Sequence, residues 1–266
     1  MSNISPLINV MKTAYNKVNR RIYRDFGEIE NLQGLDEKID RFFNKTYEFI
    51  EYNLKDYLTY CRPEWEFLDN KNSTVKKNTY YWLLEPLSGK ENFKRSIPIF
   101  SSSISVLFND KVIASSVYDP LRNDFYFTEE GKGAFLNDRR IRVAKRNKLS
   151  DSVVVTGIPH IGRGNKEQFI EEIDQIISEV AGIRRSGSAA LDLAWVAAGR
   201  YDAYWEYGLS LWDIAAGIII IREAGGVVTG LDGSEDDLYT GNVIAGNDNI
   251  HESLLKKIKN IYLQDD

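Results

Sequence analysis

The stretch WLLEPLSGKENF, residues 82–93, sets a carboxylate, a hydroxyl and an ammonium (Glu85, Ser88 and Lys90) around Pro86, Leu87 and Gly89. Pro86 and Gly89 are turn formers, and a helix starting near Gly89 would offer free N–H groups to an anion. The same spacing also makes an ordinary strand–loop–helix corner, so the local pattern leaves two readings. Two other stretches carry candidate groups. In LWDIAAGIIIIREAGG, residues 211–226, Asp213 falls in the first turn of an otherwise apolar helix. A carboxylate there either complements the helix dipole or is aimed at a ligand from a rigid base. In RRSGSAALDLAWVAAGRYDAYWE, residues 184–206, Gly187, Ser188 and Ala189 form a turn at a helix start, and a strand ends on Glu206. Read alone, this is a core helix followed by a strand with one solvated acid.

The elements that must position these groups follow from periodicity. Apolar residues at Leu7, Ile8, Val10, Met11, Ala14, Val18 and Ile22 predict a helix over about 5–25. A second is predicted over 36–60, with Ile39, Phe42, Phe43, Ile50, Leu54 and Tyr57 on one side. Residues 61–80 read as a weak strand and a loop, with Trp82, Leu83 and Leu84 as the end of a buried strand. From Ile99 to Val143, strands with Asn-Asp, Asp-Pro and Gly corners predict an antiparallel meander. After Leu149, strands and helices alternate: SVVVTGI as a strand, then a helix turning Phe169, Ile170, Ile173, Ile176, Ile177 and Val180 inward. There follow a helix at 188–198 stopped by Gly199, the strand YDAYWE, a helix stopped by Gly225, and a last helix from about Ile250. This predicts layers of helix and sheet in two halves, 1–148 and 149–266.

Composition excludes several classes. The chain has 266 residues, 43% hydrophobic and 27% charged, with a formal net charge of −5, which argues against a bulk electrostatic footprint for nucleic acid. The run Ile218–Ile221 is far shorter than the roughly 18 residues that span a bilayer. A single cysteine, Cys61, cannot form an internal disulfide, and the cytoplasm is the expected compartment. His160 and His251 show no ligand spacing and read as surface or turn residues. The pairs Lys76-Lys77, Arg139-Arg140, Lys145-Arg146 and Arg184-Arg185 read as solvated faces.

Taken together, the three stretches, with YDPLRNDFYFTEEGKGAFLND (118–138) and YTGNVIAGN (239–247), resemble the inositol monophosphatase family of magnesium-dependent phosphatases, most of all its bacterial SuhB, or extragenic suppressor, branch. The similarity runs over roughly residues 82–255. It implies a layered α-β-α-β-α sandwich, hydrolysis of a small phosphate monoester such as inositol 1-phosphate, Mg²⁺ as cofactor, a homodimer and, from the SuhB branch, RNA polymerase as partner. It implies that Asp213 binds metal, that the Leu87 carbonyl is a metal ligand, and that Glu206 contacts a substrate hydroxyl. Gly187, Ser188 and Ala189 would line the substrate pocket beside Leu87, Ser88 and Gly89.

The metal loop departs from the family pattern. Where the family shows Asp-Pro-Ile/Leu-Asp-Gly-Thr, this chain has Glu85-Pro86-Leu87-Ser88-Gly89-Lys90. The first acid is one methylene longer, the second is a serine, and Lys90 stands where a threonine orients water. A metal-binding glutamate upstream falls at about Asn70, and GEIENLQGLDEK (27–38) occupies the place of an acid-bearing hairpin. Glu85 and Asp213 remain as metal carboxylates. Octahedral Mg²⁺ needs oxygen ligands, and losing two acids predicts weakened metal binding and impaired or lost hydrolysis, with a binding or regulatory role in its place. The alternative is a working phosphatase with a reduced metal site. Lys90 is expected either among Glu85 and Asp213, replacing part of the metal's charge, or at the helix N-terminus, where it would help bind phosphate.

Overall fold

The computed structural model describes residues 4–68, 75–160, 163–234 and 240–262. Helix α1 (Pro6–Ile29) starts at Ser5, whose Oγ accepts the Ile8 amide at 3.2 Å, with Pro6 in the first turn, where it sacrifices no helical hydrogen bond. It runs past the expected stop at residue 25, with Ile8, Met11, Ala14, Val18, Ile22 and Ile29 buried along one stripe. A single 3₁₀ turn (Glu30–Leu32) leads into α2 (Asp36–Cys61). The segment 27–38 is therefore the end of one helix, a turn and the start of the next, and it contains no strand. Asp25 is fully buried between the two helices, where Arg21, Arg24 and the Thr46 hydroxyl (2.7 Å) all donate to it.

A seven-stranded sheet follows in chain order: β1 (Glu66–Phe67), β2 (Tyr80–Ser88), β3 (Ser101–Phe108), β4 (Lys111–Asp119), β5 (Asp124–Glu129), β6 (Ala134–Leu136) and β7 (Arg139–Arg140). Apart from the parallel β1–β2 pair it is the expected antiparallel meander. Short helix α3 (Lys90–Lys94) leaves the end of β2. The second sheet is built from β8 (Val153–Thr156), β9 (Gly182–Arg184), β10 (Ala203–Glu206), β11 (Val227–Thr229) and β12 (Val243–Gly246) in the order β11-β12-β10-β8-β9. Strands β8, β9 and β10 run parallel, and β12 is antiparallel to both of its neighbours. Strands β9, β11 and β12 escape periodicity because three or four residues are too few to display an alternation.

Helices α4 (Lys166–Ile176), α5 (Ala189–Ala197), α6 (Leu211–Glu223) and α7 (Asp248–Tyr262) complete the layers. Helices α1 and α2 cover one face of the first sheet through a core that includes Met11, Ile50, Trp82 and Ile104. Helices α5 and α6 lie between the sheets, where Leu193, Ile214 and Ile218 meet Val117 and Tyr126 on one side and Tyr204 and Ala245 on the other. Helices α4 and α7 close the outer face of the second sheet with Ile176, Leu254 and Ile258 against Val154 and Trp205. This is the expected α-β-α-β-α sandwich. The two sheets lie on either side of residue 148 in sequence, and the α5–α6 layer buries apolar surface against both. Among the described residues no helix is long and apolar enough to cross a membrane.

Two sequence expectations need correcting. Helix α4 ends at Ile176, and its buried positions are Gln168, Glu172 and Ile176, while Ile170 and Ile177 are exposed. The i, i+4, i+8 stripe carries a carboxylate inward because the Trp205 Nε1–H donates to Glu172 at 3.0 Å. His251 is buried rather than at the surface, sharing a 3.0 Å hydrogen bond with the Thr229 hydroxyl, and burial lowers its pKa.

Candidate functional site

The strand carrying Glu85 does not stop at Leu84 but continues to Ser88 through a bulge. Glu85 pairs with Ser103 and Ser88 with Ser101, so Pro86 and Leu87 share the space opposite Ser102. Proline suits this interruption because it has no N–H to give to the ladder. The Pro86 carbonyl accepts the Ser102 hydroxyl at 2.6 Å, and the Leu87 amide turns back to Glu85 Oε1 at 3.2 Å. Gly89 then takes φ +97° with its α-carbon hard against the Ile99 carbonyl; a Cβ would sit 2.9 Å from that oxygen, so only glycine fits. The bulge and this left-handed residue turn the chain into α3.

Opposite this loop, the N-termini of α5 and α6 and the end of β10 complete a cleft of about 280 Å³. Every candidate placed by the described residues lines it: Glu85, Leu87, Ser88, Gly89 and Lys90 from the loop, Gly187, Ser188 and Ala189 from the start of α5, and Glu206 and Asp213. Asn70 lies outside the described residues. Ser188 is the N-cap of α5 but makes no side-chain cap bond; its hydroxyl pairs instead with those of Ser88 (3.0 Å) and Ser101 (3.2 Å). Ser88 therefore ties the loop to α5. Asp213 plays both roles considered for it. Its Oδ2 accepts the Ser210 amide (2.9 Å) and hydroxyl (2.7 Å) in a capping box, and the carboxylate still lines the cleft.

Lys90 is not between the acids. Its Nζ lies 5.3 Å from the centroid of the Phe43 ring, over the ring face, and among the described residues it makes no ion pair. The pKa of Glu85 is accordingly pushed up to about 7, by burial first and by the neighbouring Asp213 charge second, with the Leu87 amide opposing. Tyr47 of α2 stands in the same field; burial and the charges of Glu85, Glu51 and Asp213 raise its pKa.

The Glu206 end is furnished differently, and much of it was missed from the sequence. Glu206 is not a solvated acid. Its Oε2 accepts the Tyr204 hydroxyl at 2.6 Å, its Oε1 is paired with Arg163 Nη2, and burial raises its pKa against the pull of both partners. The carboxyl lies across the backbone of Gly157, where a Cβ would stand 2.0 Å from Glu206 Cδ. Asp192, on the first turn and a half of α5, is 2% exposed, and burial pushes its pKa up to about 8. Arg163 and Asp192 carried no sequence signal because each belongs to a segment that reads as plain loop or core helix; only tertiary proximity to Glu206 marks them.

Among the described residues no three His, Cys, Asp or Glu side chains group as a metal site requires. The donors at the Glu85 end are two carboxylates, one of them held near neutrality by burial, and the Leu87 carbonyl. These described donors do not fit a cluster of divalent cations, each of which wants octahedral oxygen coordination.

A family model described as the inositol monophosphatase family matches residues 8–263. An inositol-1-monophosphatase of Mesorhizobium japonicum is 45% identical, over 96% of this chain and 97% of that one. The Nus factor SuhB of Escherichia coli K12 is 30% identical over 96% of each chain. Among solved structures, the extragenic suppressor protein suhB of Bartonella henselae superposes with a TM-score of 0.84 at 37% identity, covering 96% of this chain and all of that one.

Proposed function

We propose that this chain, which belongs to the inositol monophosphatase family, binds a small phosphorylated polyol in the Glu85–Glu206 cleft with the family's hydrolytic chemistry weakened or lost. The carrying observation is the unequal furnishing of one cleft. At the Glu206 end, a partly buried carboxylate is held by Tyr204, Arg163 and the bare backbone of Gly157. At the Glu85 end, Ser88 is drawn into a hydroxyl cluster, Lys90 is turned over Phe43, and two carboxylates remain among the described residues. The phosphate would lie at the start of α5, where first-turn N–H groups and the Ser88 and Ser188 hydroxyls supply donors. Glu206 would accept from a ligand hydroxyl. Mg²⁺, the family's cofactor, would supply Lewis-acid chemistry and charge neutralisation where it binds. Of the residues here, Glu85, Asp213 and the Leu87 carbonyl would have to hold it.

The test is hydrolysis of inositol 1-phosphate with Mg²⁺, measured beside the Mesorhizobium japonicum relative, together with calorimetric binding of the same ester. Losing an outer-shell partner alone costs roughly 10–100-fold and a displaced carboxylate roughly 100-fold, so with direct ligands lost turnover should fall at least about a thousandfold below the relative while binding persists. A second reading rests on that relative's name and 45% identity: a working Mg²⁺-dependent inositol or sugar phosphatase with a reduced site. Robust turnover that disappears in Asp213→Asn would establish the second reading and sink the first. The relatives named Nus factor SuhB support a regulatory role with the transcription machinery; RNA polymerase as partner, a homodimer and a cytoplasmic location are part of the proposal. Recovery of RNA polymerase on the immobilised chain, lost when the cleft is left intact but the surface is altered, would separate that role from ligand binding.

A further inference from the structure

Arg163 enters the cleft from the segment between β8 and α4, and its backbone is fixed. Its amide donates to the His160 carbonyl at 2.9 Å, and its carbonyl accepts the His160 amide at 3.0 Å. Its guanidinium is oriented by the Tyr207 carbonyl, which accepts from Nε at 3.1 Å and from Nη2 at 3.0 Å, and Nη2 also meets Glu206 Oε1. Among the described residues Nη1 makes no hydrogen bond, and the side chain, 30% exposed, lines the cleft. Glu206 is 15% exposed and lines the same wall, with one oxygen given to Arg163 and the other to Tyr204.

We propose that Arg163 is a specificity-determining residue that reads, together with Glu206, two adjacent hydroxyls of a phosphorylated polyol. This rests on the reading that the cleft binds such a ligand. A carboxylate offers about four acceptor sites, two of which are taken here, so Glu206 can accept from one hydroxyl but donate to none. Arg163 Nη1 supplies the missing donor at its side, and a guanidinium fork held on two oxygens loses little freedom when it makes a third contact. A second phosphate is the competing occupant for an arginine in a cleft. The contact with Glu206 already neutralises this one, which leaves a dipolar pair that favours neutral polar groups over an anion. Ligands without the hydroxyls would leave Arg163 Nη1 and the spare lone pairs of Glu206 without a partner in a partly buried wall, a condition that favours rejection.

The experiment is calorimetric titration of the full chain, without added metal, with inorganic phosphate, cyclohexyl phosphate, myo-inositol 1-phosphate and a set of its monodeoxy analogues. Wild type should favour inositol 1-phosphate over cyclohexyl phosphate by about tenfold or more, and one monodeoxy analogue should lose about tenfold. In Arg163→Gln, with its fold checked by thermal melting, that analogue and the parent should bind alike and affinity for inorganic phosphate should stay within about twofold. Arg163→Lys, which keeps the charge and loses the fork, should fall between, and it carries the comparison if the glutamine variant does not fold. Arg163→Gln that still discriminates every analogue as wild type does would overturn the proposal, as would a wild type that binds all esters without preference. A wild type that binds neither phosphate nor any ester fails the underlying reading itself, and the proposal falls with it.

Discussion

At the Glu206 end of the cleft each carboxylate oxygen has a partner, the backbone beneath is bare glycine, and the strand is backed by a buried acid on Trp205. At the Glu85 end one backbone amide at 3.2 Å supports the carboxylate, the neighbouring Asp213 repels it, and the Lys90 ammonium faces an aromatic ring. Both ends sit on the same rigid frame of two sheets and α5, so the contrast does not arise from flexibility of the scaffold. It lies in which groups neutralise buried charge. One end does this with built-in donors and is complete in the chain alone; at the other, burial and the Asp213 charge push Glu85 toward holding a proton.

The largest break in this comparison should come from Gly157→Ala. A Cβ 2.0 Å from Glu206 Cδ cannot be accommodated by a small rotation, because Tyr204 and Arg163 hold both oxygens. The strand end or the carboxylate must move, at a cost of about 2–3 kcal/mol. Melting should show the loss, and polyol binding should fall with it while inorganic phosphate binding is largely kept. Equal loss of both would mean that the two ends are not independent.

Glu172→Gln tests the backing of the same wall. Burial pushes the Glu172 carboxyl up to about 8 in the folded chain from an ordinary value near 4.5. A raised acid pKa means that the native state holds a proton the unfolded state has released, so stability falls as pH rises from about 4.5 through 8. The glutamine keeps an acceptor for Trp205 Nε1 and does not titrate. The variant should match wild type at pH 4.5 and exceed it at pH 9 by on the order of a few kcal/mol, read by denaturant melts. Identical pH profiles would show that Glu172 is not buried in solution.

Much of the frame was legible in the sequence. The meander declared itself through Asn-Asp, Asp-Pro and Gly corners, α1 and α2 through long periodic stripes, and α6 through a continuous apolar run stopped by Gly225, because those signals are local. Every described candidate residue lies on one cleft, since the turn formers Pro86, Gly89 and Gly187 mark the places where the chain changes direction at its wall. What local pattern could not show was pairing across the fold. Glu206 read alone as a solvated acid because Arg163 and the bare Gly157 come from a different strand's loop, and Lys90 was expected at the acids or at the helix N-terminus because Phe43 lies far away in sequence. Helix α4 misled for the same reason: its inward Glu172 is held by Trp205 from across the fold and by Gln168 one turn earlier.

Ser88→Asp sharpens the contrast from the other side. The substitution puts a third carboxylate at a position 6% exposed, beside Glu85 and Asp213, and breaks the hydroxyl contact with Ser188. With a chelator present it should destabilise by about 1–3 kcal/mol, because a buried group loses its partner and like charges gather. Mg²⁺ should recover part of that loss, by mass action on a native state that binds the ion. Stabilisation of wild type by Mg²⁺ to the same extent would mean that its own donors already suffice.

The smallest expected effect belongs to Lys90. An ammonium over a ring at a partly exposed site contributes roughly 0.5–1 kcal/mol, so Lys90→Ala should lower stability by no more than that. If the lysine instead compensated Glu85 and Asp213, its removal would leave the two acids unopposed. The loss would then be several times larger, concentrated above the pH near 7 where Glu85 ionises. Comparing Lys90→Ala with wild type at pH 5.5 and pH 8.5 separates these cases, because a contact with Phe43 does not depend on the charge of the acids. A small, pH-independent decrement would place the ammonium outside the charge balance of the cleft and leave the Glu85 end to a proton or an added cation.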